Sequence, residues 1–253
     1  MLEITSRKNP QVQHLKKLGA DKAYRDVTGE FLCDGLKLYE EAIEAQIEIP
    51  LLATSCREIA QKASGASQVI LLPEDVLESI SPQKSPQALL FACKKPEESP
   101  PEDPATVLVL DSLQDPGNVG TLLRSATAFG ASLVVLTGNC ADLYNPKTVR
   151  AAMGALFRQR VCQMTTEEIE NYVNQKGLHF LAAVLGDVAV SAGNKLPKKV
   201  AFAIGNEGQG LRQEIIDICH GTIQIPMEPQ AESLNAAVAG SILLWEAYRQ
   251  KEE

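Results

Sequence analysis

No stretch of this sequence stays apolar over the roughly 20 residues needed to cross a bilayer, and the N-terminus carries no basic-then-apolar leader. Both absences point to a cytoplasmic protein without a membrane partner. Cysteine is present but unpaired in sequence, since positions 33, 56, 93, 140, 162 and 219 include no CxxC. With only three scattered histidines beside them, a zinc site or redox dithiol has no ligand spacing to rest on. No metal is expected, and the cysteines read as reduced, mostly buried thiols. Aromatic residues make up 5% of the chain, with one tryptophan, which leaves little for extensive base stacking. Positive charge is also short. The 24 lysines and arginines against 32 acids give a formal charge of -8, the opposite of what binding nucleic acid by bulk electrostatics requires.

What is present is the composition of a soluble globular protein, 45% hydrophobic and 22% charged, long enough at 253 residues for one large or two ordinary domains. The charge is unevenly spread. Within the first 25 residues Arg7, Lys8, Lys16, Lys17, Lys22 and Arg25 face only Glu3 and Asp21, and a second basic cluster gathers Lys147, Arg150, Arg158 and Arg160. By composition alone either cluster is better explained by a solvated face than by a phosphate-binding one. The run "KKPEESPPEDPAT" at 94–106 has almost nothing to bury and reads as a linker, 96–106 at its core, dividing the chain into 1–95 and 107–253.

In the first part, "EFLCDG" predicts a strand and "LKLYEEAIEA" a helix burying Leu36, Tyr39, Ala42 and Ile43, with further strands at "PLLATS", "QVILL" and "ALLFAC". The second part alternates more regularly. Strand candidates "TVLVLD", "SLVVLTG", "HFLAAVLG", "KKVAFAIG" and "TIQIPM" are interleaved with helices starting near Asn118, Lys147, Thr166, Gly210 and Ser233, which predicts a mainly parallel sheet with helices on both faces. Such sheets bind ligands at the carboxyl ends of their strands, which brings the loops 111–120, 205–210 and 226–233 together.

In the first loop, "DPGNVGTLLRSATAFG", Asn118 is a natural N-cap, Val119, Leu122, Leu123 and Ala126 form the buried stripe, and Arg124 shares a low face with Gly120 and Thr121. The second, "IGNEGQG", is rich in glycine but lacks the lysine and hydroxyl partner of a phosphate-cradling loop, and Glu207 within it suits a cationic neighbour, either Arg124 or a ligand. In the third, Glu232 or Ser233 can cap a final helix whose apolar residues, Leu243, Leu244 and Trp245 among them, occupy two sides, as if it also met a partner subunit.

Taken together, "NVGTLLR" with Asn118, Gly120 and Arg124, "IGNEGQGL" at 204–211, and "IPM" with "SLNAAVAGSILLWE" at 225–246 resemble the three signature motifs of the SpoU, or TrmH, family of RNA ribose methyltransferases in the SPOUT class. The segments "ITSRKNPQVQHLKKL", "GEFLCDG" and "SPQALLF" resemble the substrate-binding extension of many members. The resemblance implies a C-terminal α/β domain with a mainly parallel sheet and a trefoil knot, preceded by a small α/β RNA-binding domain. It implies S-adenosyl-L-methionine as cofactor, contacted by Gly205, Ile225 and Leu234, and a homodimer sharing an RNA site between subunits. It also implies methyl transfer to a ribose 2'-hydroxyl, with ribosomal RNA preferred over transfer RNA. Gln230 stands where a glycine is common, Thr127 where an acid is frequent, and "FRQRV" replaces a more apolar segment.

In this reading Arg124 carries the reaction. A guanidinium has a pKa of about 12.5–13.8, so it is expected to stabilise developing oxyanion character and grip a phosphate rather than act as base. Asn118 would fix Arg124 or the substrate, Glu207 would orient the site or offset its charge, and Ser233 and Asn235 would hold loop and ribose. Arg7, Lys8, Lys16, Lys17, Arg25 and Arg150 are the expected RNA contacts. Two rivals are weaker. A nicotinamide-dependent oxidoreductase would need the missing GxGxxG and a ribose-binding acid, and a non-catalytic RNA-binding assembly factor has no need of Arg124, Glu207 and Asn235 together.

Overall fold

A computed structural model describes residues 2–83, 86–97, 99–185, 190–228, 230 and 232–251. Gly186, at the end of one expected strand, and Pro229 and Ala231 of the third loop lie outside them. In chain order the elements begin with β1 (Leu2–Glu3), α1 (Pro10–Ala20), α2 (Lys22–Thr28), β2 (Glu30–Asp34), α3 (Leu36–Glu44), β3 (Leu51–Thr54), α4 (Arg57–Lys62), β4 (Val69–Leu71), α5 (Glu74–Glu78) and β5 (Leu89–Lys94). There follow β6 (Thr106–Asp111), α6 (Pro116–Ala128), β7 (Leu133–Thr137), α7 (Pro146–Ala152), a 3-10 turn (Met153–Phe157), β8 (Val161–Gln163) and α8 (Thr166–Lys176). The chain continues with β9 (His179–Ala183), β10 (Val190–Ser191), β11 (Val200–Ile204), α9 (Gln213–Asp217), β12 (Gly221–Gln224) and α10 (Ala236–Arg249).

The chain forms two compact units. The first comprises Met1–Glu97 and Asp142–Phe157. Its sheet has the order β1-β4-β3-β5-β2, mixed in direction because β5 runs antiparallel to both β2 and β3. Helix α1 starts where Asn9 accepts the backbone N–H of Gln11 and Pro10 supplies a preset φ, and it buries Val12, Leu15 and Leu18 in one stripe. On the sheet's other side Phe31 packs on Tyr144, with ring centroids 4.8 Å apart, and on Phe157 at 6.3 Å. Leu36 of α3 is 46% exposed rather than buried, and Leu38, Tyr39 and Ala42 make the inner face instead.

The second unit, Glu98–Ala141 and Arg158–Glu253, carries a seven-stranded, all-parallel sheet of order β10-β12-β9-β11-β6-β7-β8. Every residue of β6, β7 and β11 is buried, as parallel strands covered on both faces must be. The end of the proline-rich run is tied down here: Tyr172 Oη donates to the Pro101 carbonyl at 2.9 Å, and Lys176 and Lys199 pair with Glu102 and Asp103. Helix α6 turns in Val119, Leu122, Leu123 and Ala126, all 0% exposed, as the spacing anticipated. Its cap, however, is Asp115, which accepts the Asn118 N–H at 2.8 Å, so Asn118 keeps its side chain for other work. Helix α10 shifts the other way, its cap falling two to three residues later than expected. Asn235 caps it by accepting from the N–H groups of Ala237 and Val238, in place of Glu232 or Ser233. It lies close against α6, because a Cβ on Gly240 would come within 2.5 Å of Leu122 Cδ2.

Candidate active site

At the carboxyl ends of β9, β11 and β12 the second unit opens into a cleft of about 720 Å³, within the usual range for a small-molecule site. Ile204, Ile223, Ile225 and Leu234 supply apolar wall, while Glu207, Glu232, Ser233 and Asn235 supply polar groups. Among the described residues that line it there is no lysine, arginine or histidine. A polyanionic dinucleotide would find no counter-charge there. A cationic ligand with an apolar body is matched on both counts.

One wall is the segment 205–211, a loop folded back on itself. Asn206 and Gly210 exchange both backbone hydrogen bonds at 2.9 Å, and the Asn206 side-chain oxygen accepts the N–H groups of Gly208 and Gln209. Gly210 takes the left-handed φ of +73° that lets the turn close. Gly205 is needed for a different reason, close approach: a Cβ there would stand 2.2 Å from the Gly210 carbonyl carbon.

Asn118 joins the three loops. Its Nδ2 donates to Glu207 Oε1 at 2.8 Å, and its Oδ1 accepts from Asn235 Nδ2 at 3.1 Å. The expected cofactor contacts Gly205, Ile225 and Leu234 all line the cleft, as do Glu207, Ser233 and Asn235. Glu207 and Asn118, each expected to meet either Arg124 or a ligand, here meet one another, with no bond to Arg124 among the described residues. The Asn118 amide keeps one N–H and one lone pair for a further partner. Arg124 is exposed on α6, outside the cleft lining, and among the described residues nothing pairs with it. Sequence reasoning passed over Met227, which also faces the cleft, and Asn206, although an asparagine two residues before a glycine is a recognisable side-chain turn signal.

Among the expected RNA contacts, Lys8, Lys16, Lys17 and Arg150 are exposed in the first unit, and Arg7 is exposed while paired with Asp75. Arg25 is not on that surface. It is 3% exposed, donates to the Leu18 carbonyl at 2.7 Å and pairs with Asp142, so its guanidinium has no face left for a phosphate. The six cysteines form no disulfide, three of them being buried and three half-buried. Among the described residues no helix is long and apolar enough to cross a membrane, and no group of three or more histidine, cysteine or acidic side chains could hold a metal ion.

Residues 105–245 match the model of the SpoU rRNA Methylase family. The chain belongs to that family. Residues 9–91 match the MRM3-like substrate binding domain. Over 248 residues the chain is 33% identical to a Bacillus subtilis protein named 23S rRNA (guanosine(2553)-2'-O)-methyltransferase RlmP, covering 97% of this chain and 98% of that one. Its fold is similar to that of an AdoMet-bound rRNA methyltransferase from Sinorhizobium meliloti, with TM-score 0.87, 32% identity, and 98% and 97% of the two chains covered. It is also similar to the SpoU methyltransferase AviRb from Streptomyces viridochromogenes in complex with AdoMet, with TM-score 0.85, 26% identity, and 97% and 99% covered.

Proposed function

We propose that this SpoU-family protein methylates a ribose 2'-hydroxyl of ribosomal RNA, using S-adenosyl-L-methionine. The observation that carries the reading is the cleft, sized for a nucleoside, free of basic groups among its described lining and tied through Asn118 to the helix that bears Arg124. The bound cofactor supplies the methyl group as the electrophilic carbon of a sulfonium. Gly205, Ile225 and Leu234 would hold it, chiefly through backbone and apolar contact, and the carboxylate of Glu207 favours its positive charge. Asn118 fixes Glu207 and Asn235 in one arrangement, so the second and third loops keep a set distance. Ser233 and Asn235, both exposed at the cleft, would meet the ribose. Arg124 stays protonated, stabilises the developing charge on the 2'-oxygen and holds the neighbouring phosphate, while the hydroxyl proton passes to water or a transient base as the C–S bond breaks; such a donor contributes about 10²–10³ in rate. Holding the reactants in line supplies the rest.

The expected division at 96–106 is adjusted in this reading: residues 1–95 together with 142–157, which pack in the first unit, form the substrate-binding part, and the rest of 107–253 the methyltransferase part. Lys8, Lys16, Lys17, Arg150 and Arg7 would contact RNA phosphates. A homodimer completes the site. Thr121 and Phe129 of α6 and its end, with Val238, Ile242 and Trp245 of α10, form an exposed apolar face on which Val238 and Trp245 are each 46% exposed. Arg124 stands one turn from Thr121, beside that face. The trefoil knot of the C-terminal segment and a cytoplasmic location belong to the same reading. The test is incubation of full-length protein with methyl-labelled S-adenosylmethionine and ribosomal RNA. Label recovered in alkali-resistant dinucleotides is the expected product, and label on a base, or none on RNA, would refute it.

A further inference from the structure

Behind the cleft, the ends of β6 and β7 meet a polar cluster with no part in the chemistry above. Asp111, the last residue of β6, is fully buried. Its Oδ2 accepts the backbone N–H of Arg212 at 2.8 Å, and its Oδ1 accepts Arg212 Nε at 2.5 Å and the Ser112 hydroxyl at 3.1 Å. Arg212 Nη2 donates to Thr137 Oγ1 at the end of β7, 3.3 Å away, and Nη1 pairs with Glu214. Gly138, at φ +63°, leaves the room for this: a Cβ there would stand 3.1 Å from Arg212 Cζ and 2.3 Å from Ser112 Oγ. Next to Asp111, the Ser112 carbonyl accepts from Asn206 Nδ2 at 2.9 Å, and Ser112 itself holds a left-handed φ of 57° that a serine adopts only when its surroundings impose it.

Residues 111 and 112 therefore grip both ends of the 206–212 segment, Asn206 at its start and Arg212 at its close. The same two residues lead directly into the turn that sets Asp115 and Asn118 on α6. Glu207 follows Asn206 by one position, so the separation of Glu207 from Asn118 is set by how firmly the segment is anchored to 111–112. We propose that Arg212, through its ion pair with buried Asp111, is a positioning residue that holds the 205–211 loop where Glu207 meets Asn118. The kinetic part of this rests on the methyl-transfer reading; the structural part does not.

Arg212→Ala in the full chain keeps the backbone N–H bond to Asp111 and removes the guanidinium. Amide hydrogen exchange of the 205–211 segment is expected to quicken by about tenfold more than elsewhere in the chain, with the melting temperature lowered by only a few degrees for the Asp111 carboxylate left short of its partner, and kcat for methyl transfer to fall roughly 10- to 100-fold, the scale of a displacement near 1 Å. Arg212→Lys, which can return one bond to Asp111, should recover part of both. Arg212→Gln takes the place of the alanine variant should that one fail to fold. Exchange and turnover equal to the parent's would overturn the proposal. So would exchange that rises evenly through both units with a matching fall in melting temperature, since that marks a general stability role. If the parent protein transfers no methyl group to ribosomal RNA, the functional reading fails, and exchange at 205–211 still decides the anchor.

Discussion

Substituting Gly205 by alanine should cost the protein its cofactor while leaving it folded. The added Cβ would lie 2.2 Å from the Gly210 carbonyl carbon, 2.3 Å from the Leu211 nitrogen and 2.5 Å from the Gly210 oxygen, each about 1 Å or more inside the usual contact of about 3.5–4.0 Å. All three atoms are backbone, so no side chain can swing aside. Relief requires opening the turn, which gives up the pair of 2.9 Å bonds between Asn206 and Gly210, worth about 1 kcal/mol each. Overpacking adds about 1–3 kcal/mol. Those bonds hold the loop closed in parent and variant alike, so the strain alone shifts closed against open, by about 5- to 100-fold at 1.4 kcal/mol per tenfold, and S-adenosylmethionine affinity should drop by up to that factor if the closed loop is the binding form. The strain is released locally, so the sheet is untouched and the melting temperature should move by only a few degrees, on the scale of about 2–4 °C per kcal/mol for a chain of this size. Titration calorimetry beside a thermal melt measures both. A dissociation constant within about threefold of the parent's, in a folded variant, would refute the claim that this close approach builds the site.

Arg124→Ala should lower kcat about 10²–10³-fold with cofactor affinity and melting unchanged, because the side chain is exposed and nothing described pairs with it; retained turnover in a methyl-transfer assay would remove Arg124 from the mechanism. Trp245→Glu places a charge on the apolar face of α6 and α10 and should yield monomers in light scattering, with loss of activity if the site is shared; an unchanged mass would mean that the face is not the interface. Burial pushes the Cys219 thiol up to about 12, so it should remain protonated and resist alkylation at pH 8, with modification rising only as pH approaches that value; rapid labelling at neutral pH would contradict this.

The periodic parts of the chain were legible before the fold was known. Continuous apolar runs announced β6, β7 and β11, and the stripe of α6 fell on Val119, Leu122, Leu123 and Ala126 because helical spacing alone determines which residues face a sheet. Among the strands of two or three residues, β4 was announced by the apolar run of "QVILL", whereas β1, β8 and β10 are too short to carry a period. The caps slipped by two to three residues for a physical reason. Asp115 and Asn118 both have the oxygen that an N-cap needs, and only the fold shows that Asn118 is held by Glu207 and Asn235 while Asp115 does the capping. Of the three loops brought together from strand order, 205–210 and 226–233 supply lining of the cleft, while 111–120 reaches it only through the bonds of Asn118 to Glu207 and Asn235, and residues 183–185 at the end of β9 close the side that was not foreseen. The direction of Arg124 was not readable, since Gly120 and Thr121 define a low face but not what lies across it. Arg25 shows the limit of charge patterning: a basic cluster in sequence contained one residue committed to the interior.

The first unit is assembled from two pieces of chain far apart in sequence, Met1–Glu97 and Asp142–Phe157. A peptide ending at residue 97 would leave Phe31 uncovered by Tyr144 and Phe157 and would strand the Arg25 charge without Asp142. It could not be moved as a contiguous cassette onto another enzyme. On the ribosome it must also wait, unfinished, until residue 157 has emerged, by which time β6 and β7 are already outside. Synthesis thus interleaves the maturation of the two units, and a ribosome-stalled chain should first acquire a native-like N-terminal unit only after that residue clears the exit tunnel.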